Sequence, residues 1–229
     1  MTMSQQYRLS GVYVGQVAER FGMKTAIDKS AVSGEIYLSE TGLAGDECAE
    51  TKFHGGVERA LHQYPAEHYQ YWAKKYHSEH EWQAPGMGEN ISASGMSESD
   101  VCIGDRYQWG EAIIEVSQPR SPCMKLSQRW GVENFSVDMQ EISRCGWLYR
   151  VIQPGVVSVE QPLVLIERVE NPLSILAVCE RYFGDPLNRS GLEQLIAQER
   201  LSKSWRDKIL QRLATGEVEN WNFRLLGHA

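Results

Sequence analysis

VCIGDRYQWGEAIIEVS, residues 101–117, is the most informative stretch of the chain for its architecture. It contains two runs rich in β-branched and aromatic residues, 101–109 and 112–117. Gly104 and Asp105 punctuate the first run, and Gly110 separates the two. Two such runs around a glycine predict a β-hairpin. Further out, similar segments occupy 7–17, 35–38, 156–159 and 163–169. Gly34, Gly42, Gly45 and Pro154-Gly155 bound them. Many short strands between glycine-rich turns predict a mainly β (α+β) chain, a barrel or sandwich rather than a βαβ sheet. Helices are expected at 65–75, within 123–129 and around 136–144.

The pattern changes after Glu170. Asn171-Pro172 reads as a helix start, with Asn as the cap and Pro in the first turn. Ile175, Leu176, Val178, Cys179, Tyr182 and Phe183 continue it as an apolar stripe. Ser190 to Glu193 fits a capping box, and Ser204 to Asp207 resembles another. Three short helices cannot bury a core of their own. They are expected to pack as a bundle on the strands or on a partner chain, and a homodimer is compatible with the second arrangement.

Composition narrows the function. The 229 residues are 42% hydrophobic and 23% charged, as in an ordinary globular protein. No apolar run reaches membrane-spanning length. The start, MTMSQQYRLSGVYVG, lacks a basic region followed by an apolar one. The expected compartment is therefore the cytosol, with no membrane partner. A net charge of −7 argues against a nucleic-acid partner. The five cysteines are widely spaced with no C-x-x-C, so neither a disulfide framework nor a structural zinc site is expected.

Three clusters could carry chemistry. The first runs from Leu43-Ala-Gly-Asp46 through Lys52, His54, Gly55, Gly56 and Arg59 to Tyr64. Paired glycines after a histidine let backbone N–H groups approach an anion. Arg59 could add a bidentate fork. The same residues could equally make a plain turn before the helix expected at Pro65. The second is Gly86-Met-Gly-Glu-Asn90-Ile91, where Asn90 could fix a ligand through its amide or simply enter a strand. The third is Gln118-Pro-Arg120-Ser-Pro-Cys123-Met-Lys125. Prolines fix the backbone ahead of a cysteine expected to open a helix, and Arg120 and Lys125 flank it, so a thiolate would be stabilised there. Cys102 and Cys179 read as packing residues, while Cys48 and Cys145 stay open as reactive thiols. His77 and His80 lie in a polar segment and read as solvated. Arg144 and Arg150 offer further positive charge.

Together the clusters resemble the MOSC family, the domain found at the C-terminus of molybdenum-cofactor sulfurases. The resemblance rests on the Gly-Asp and His-Gly-Gly stretch, Gly-Glu-Asn-Ile, the Ile103-Gly-Asp-Arg106 turn and Pro-Arg-x-Pro-Cys-x-Lys. Its core spans about residues 30–168, and the tail is similar to the three-helix extension of one branch. It implies a MOSC-type β-barrel domain over 1–170 and a three-helix extension over 171–229. It also implies a molybdenum cofactor (Mo-molybdopterin) with Cys123 as the metal ligand. Lys52, His54, Gly55, Gly56, Arg59, Asn90, Arg120, Lys125 and Arg150 are the expected cofactor-binding residues. The proton source stays open, with His54 a candidate only because an imidazole titrates near neutral pH. The implied activity is reduction of N-hydroxylated compounds, such as hydroxylaminopurines, to amines, which would detoxify them. The chain carries no flavin, haem or iron–sulfur motif, so a separate flavoprotein or similar donor would supply electrons. The main alternative is a sulfur carrier with a persulfide on Cys123. A cysteine hydrolase using Cys123 and His54, or a binding module without catalysis, are further alternatives.

Overall fold

The computed structural model describes residues 5–51, 55–77 and 80–228. Among them the strands are β1 Gln6–Tyr7, β2 Leu9–Val14, β3 Ala18–Arg20, β4 Met23–Thr25, β5 Ser30–Ala31, β6 Glu35–Ser39, β7 Gly42–Leu43, β8 Leu61–Pro65, β9 Ile91–Ala93, β10 Arg106–Trp109, β11 Ala112–Pro119, β12 Trp147–Gln153, β13 Gly155–Ser158 and β14 Leu163–Glu167. The α-helices are α1 His68–Tyr76, α2 Met124–Trp130, α3 Phe135–Glu141, α4 Ile175–Cys179, α5 Arg189–Ile196, α6 Lys203–Thr215 and α7 Asn222–Leu226.

Nine strands form one sheet in the order β1-β14-β10-β11-β12-β8-β9-β2-β5, antiparallel except where β8 meets β9. The expected hairpin is β10–β11: Trp109 faces Ala112, and Gly110 takes φ +55° in the turn. Its first strand begins only at Arg106, because Asp105 folds back to accept the Cys102 N–H at 2.9 Å. The expected closed barrel is corrected. Among the described residues the hydrogen-bonded order is open, ending at β1 and β5. Chain continuity still curls the sheet. Only Arg8 separates β1, paired with β14, from β2, paired with β9. One segment therefore serves both flanks, which the ordinary right-handed strand twist accommodates.

The core lies inside this curl. Tyr107, Trp109, Ile114, Val116, Tyr149 and Leu163 are fully buried. Helices α1 to α3 close one side through an aromatic cluster. Trp72 meets Phe135 edge-on at 4.8 Å, and Trp82 stacks on Trp130 at 4.0 Å. Pro65 is the last residue of β8, not the start of α1. Its missing N–H is tolerated at that strand end.

The C-terminal helices are joined to the sheet domain by backbone hydrogen bonds. Ile103 N–H donates to Leu173 at 3.0 Å, Ile175 to Val101 at 2.9 Å and Ser202 to Ser117 at 2.9 Å. The helix start moves from Asn171 to Ser174, whose hydroxyl accepts the Ala177 N–H at 3.1 Å. Asn171 instead takes φ +51°, which asparagine tolerates in turns. Likewise Asn188, not Ser190, caps α5 by accepting from Gly191. The short helix α7 was not expected from sequence. Among the described residues, no helix is long and apolar enough to cross a membrane.

Candidate functional site

Strand β11 ends at Pro119, paired with Trp147 on β12. The chain then turns, held by Arg120 N–H to Gly146 O at 3.1 Å. Pro122 leads into Cys123, which is extended at φ −137°, ψ 161° and stands immediately before α2. The Cys123 side chain makes no capping bond to the helix, and the residue is 7% exposed. The thiol is thus held between a strand end and a helix start, with no bond of its own to the helix.

Two groups beside this turn lack partners. Arg120 Nη1 is buried and has no hydrogen-bond partner, and the same is true of His62 Nε2. His62 is 8% exposed. Burial, with the Arg120 guanidinium as the next cause, pushes its pKa well below the usual histidine range. It is therefore held neutral. Unsatisfied buried polar groups are costly and call for an explanation.

The elements around Asn90 are the opposite. Asn90 Oδ1 accepts the His62 N–H at 3.1 Å, and Nδ2 donates to Tyr13 O at 3.1 Å and to Asp46 Oδ2 at 2.8 Å. Asp46 also accepts Gly15 N–H at 2.7 Å and pairs with Lys29. The Gly-Asp and Gly-Glu-Asn motif pieces, 44 positions apart, thus meet directly. Next to Asn90, fully buried Glu89 accepts from Tyr69 Oη at 2.6 Å and from Met87 N–H at 2.9 Å. Burial pushes its carboxyl up to about 7.

Of the other expected site residues, Lys52 and His54 lie outside the described residues. Gly56 takes φ +99°, ψ 164°, a backbone region essentially reserved for glycine. A side chain there would meet no described residue within 4 Å. Gly55 packs against Thr51, and its N–H donates to Thr51 O at 3.3 Å. Arg59 ends the following short turn and donates to Ser204 Oγ on α6 at 3.0 Å. Lys125 pairs with Glu50 at 3.1 Å. Arg150 is committed to two carboxylates, Glu58 at 2.9 Å and Glu115 at 2.6 Å.

The other cysteines separate by setting. Cys145 and Cys179 are fully buried, with sulfurs 3.8 Å apart. The hydrogen bond shared with Cys145, together with burial, pushes the Cys179 thiol well up, away from reactivity. Burial also raises the Cys102 thiol. Cys48 is half-buried. Among the described residues no group of three His, Cys, Asp or Glu side chains could hold a metal ion.

Sequence reading missed Arg224, and it placed His62 in the first cluster without giving it a role. His62 stands in β8 between Leu61 and Gln63, with no spacing that sets it apart. Arg224 lies on the unexpected helix α7. Its guanidinium reaches back to Pro122 O, the residue before Cys123, and to Gln140 Oε1 at 2.6 Å.

Comparison with known proteins fits this geometry. Residues 50–164 match the MOSC domain, and residues 173–216 match the YiiM-like, 3-alpha helix domain. Protein YiiM of Escherichia coli strain K12 is 43% identical over 218 residues, covering 94% of this chain and 97% of that one. A protein named Reductase from Gibberella moniliformis is 37% identical over 156 residues, covering 67% of this chain and 28% of that longer protein. The crystal structure of YiiM from Escherichia coli superposes with a TM-score of 0.84 at 37% identity, covering 96% of this chain and 98% of that one. The chain belongs to the MOSC-domain family, in the branch whose MOSC domain is followed by a YiiM-like three-helix domain.

Proposed function

We propose that this protein binds a molybdenum cofactor through Cys123 and reduces N-hydroxylated compounds, such as 6-N-hydroxylaminopurine and related base analogues, to amines. The observation that carries the reading is the Cys123 turn: a thiol with no capping bond, beside a buried guanidinium nitrogen with no partner. The residues fit the group. A single soft thiolate suits a metal whose remaining ligands come from an organic cofactor. The described residues offer no donor cluster of their own. No described residue crowds the Gly56 backbone, which leaves room for close approach. The name of the fungal relative, Reductase, supports a redox activity.

When bound, the cofactor supplies the two electrons for R–NHOH + 2 H⁺ + 2 e⁻ → R–NH₂ + H₂O. The chain positions it and manages charge and protons. Cys123 holds the metal. Arg120 and the Gly55–Gly56 backbone orient the pterin side, with Arg59 and Lys52 adding positive charge. Asn90 acts indirectly, holding β8 against β2 and the Asp46 turn. Lys125 and Arg150 bring charge that is already balanced by Glu50, Glu58 and Glu115. His54 delivers a proton from its imidazole, whose ordinary pKa suits neutral pH. A separate flavoprotein or similar donor returns the electrons.

The test is molybdenum and pterin content per chain after co-expression with a working cofactor pathway, beside Cys123→Ser. Near-stoichiometric metal in the parent and its loss in the variant are expected. Metal retained in Cys123→Ser, or none in the parent while a control molybdoenzyme loads, overturns the reading. A reducible one-sulfur adduct on Cys123 in intact-mass spectra would then favour the carrier.

A further inference from the structure

Glu98 stands in the loop between β9 and β10 and is 4% exposed, a rare burial for a carboxylate. A tight turn shapes the loop: Asp100 N–H donates to Ser97 O at 3.0 Å, and Val101 N–H donates to the same oxygen at 3.1 Å. The Glu98 side chain points into the protein, and both of its oxygens are committed. Oε2 meets Nε2 of His68, the first residue of α1, at 2.7 Å. Oε1 accepts the N–H of Gly146, 48 positions away, at 2.8 Å. The main chain adds a third tie, since Glu98 O accepts the Leu176 N–H from α4 at 2.7 Å. One residue thus joins α1, the approach to β12 and the first C-terminal helix.

Gly146 is the partner that reaches the Cys123 turn. Its C=O accepts the Arg120 N–H at 3.1 Å, so the two polar groups of one residue link Glu98 to Arg120. The β11–β12 ladder stops at Pro119 and Trp147, and the Arg120–Gly146 bond continues it by one step. Gly146 takes φ +70°, and a Cβ there would stand 2.2 Å from Gln63 O and 3.2 Å from His62 Nε2. Its backbone therefore lies close against β8, and the direction left to it is away from that strand. The Glu98 carboxylate opposes that movement with a charge-assisted hydrogen bond, the stronger kind. Without it, a buried N–H is left unpaired, and the loop escapes that penalty by moving out. Arg120 moves with it, and so does the approach to Cys123, whose side chain makes no capping bond that would hold it to α2.

We propose that Glu98 is a positioning residue for the Cys123 turn: its carboxylate fixes Gly146, Gly146 fixes the Arg120 backbone, and the ties to His68 and Leu176 hold Glu98 itself in place. The proposal rests on the reductase reading only in taking Cys123 as the functional group, and a persulfide carrier would need the same support.

The test uses cofactor-free full-length protein and follows alkylation of each cysteine by iodoacetamide, read by peptide mass spectrometry. Cys123 reports the turn, and half-buried Cys48 serves as the reference thiol. In Glu98→Ala, Cys123 should react about tenfold faster than in the parent, because release of the turn exposes it, while Cys48 keeps its rate. Glu98→Gln can still accept from Gly146 through its amide oxygen, so it should restore the parent rate. Glu98→Asp is one methylene shorter and reaches only one of its two partners, so its rate should fall in between; it decides the matter if Glu98→Ala does not fold. An unchanged Cys123 rate in the folded variants overturns the proposal. So does an equal rise at Cys48, which marks general loosening, or a Glu98→Gln variant as fast as Glu98→Ala. No molybdenum enters this measurement, so its outcome is separate from that of the reductase reading. In loaded protein, Glu98→Asp should lower kcat per bound molybdenum about tenfold with KM within about twofold, as for a residue that sets geometry without touching substrate. An unchanged kcat per bound molybdenum also overturns the proposal, whereas molybdenum absent from the parent sinks the reductase reading alone.

Discussion

Two polar regions meet at His62 and are built on opposite principles. Around Asn90, each amide atom has a partner, and Asp46, Lys29, Gly15 and Tyr13 are tied into the same network. Around Cys123, the thiol has no capping bond, Arg120 Nη1 has no partner, and His62 is neutral with Nε2 unused. Each region is centred on motif residues. The first stabilises the fold, and the second holds unspent hydrogen-bonding capacity, which the proposed cofactor would use. The Gly-Asp and Gly-Glu-Asn pieces are thus tied into the fold, whereas under the proposed function Pro-Arg-x-Pro-Cys would serve the chemistry.

The largest effect expected from this contrast is at Asp46. Asp46→Ala strands Lys29, whose side chain is 6% exposed, together with the Asn90 amide. It should cost about 3–5 kcal/mol in urea unfolding, as for other broken buried pairs. A loss under about 1 kcal/mol would erase the distinction between the regions.

Glu89 comes next and is read through pH. Its carboxyl ionises near 4.5 when unfolded and near 7 when folded. The folded state therefore favours the protonated form. That contribution is intact below pH 4.5 and is lost as pH rises through 7. Stability should fall by about 3 kcal/mol between about pH 5 and pH 8. In Glu89→Gln that slope should flatten; an unchanged slope would remove Glu89 as its source.

Gly56→Ala should cost about 2 kcal/mol from backbone strain, since no described residue crowds the new methyl group. Thermal melts check the cost, and cofactor content checks whether the altered backbone also weakens loading.

Arg120→Met sharpens the comparison with the smallest stability change. Removing an unsatisfied buried nitrogen should leave stability within about 1 kcal/mol of the parent, or raise it. Pterin content should fall sharply. A large destabilisation would put Arg120 with the construction residues instead.

Sequence made some of this legible and hid the rest for identifiable reasons. The β10–β11 hairpin was readable because Gly110 separates two β-like runs. The start of α2 beside Cys123 was readable because prolines mark the approach. Strand β8 was not, since His62 and Gln63 look polar yet are buried; Gln63 Oε1 is satisfied by Tyr149 Oη at 2.6 Å from β12. That partner is 86 positions away and leaves no local trace. The shift from Asn171 to Ser174 reflects two adequate caps in one short stretch, with docking of Ile175 on Val101 selecting one. In the site, the setting of Cys123 was readable from its neighbours. The inward commitment of Asn90 and the reach of Arg224 to Pro122 depend on tertiary contacts that spacing does not encode.

The division of one segment between β1 and β2 also governs assembly on the ribosome. Tyr7 pairs with Leu163, and Gln6 pairs with Val164. Strand β1 leaves the exit tunnel well before β14, the last described strand, and must wait for it. Such non-local pairing is slow, because the loop it closes costs entropy before any contact repays it. Until then the upstream strands keep an unpaired edge. The nascent chain is thus most exposed to aggregation during synthesis of its middle third, and chaperone occupancy on stalled chains should drop once residue 167 clears the tunnel.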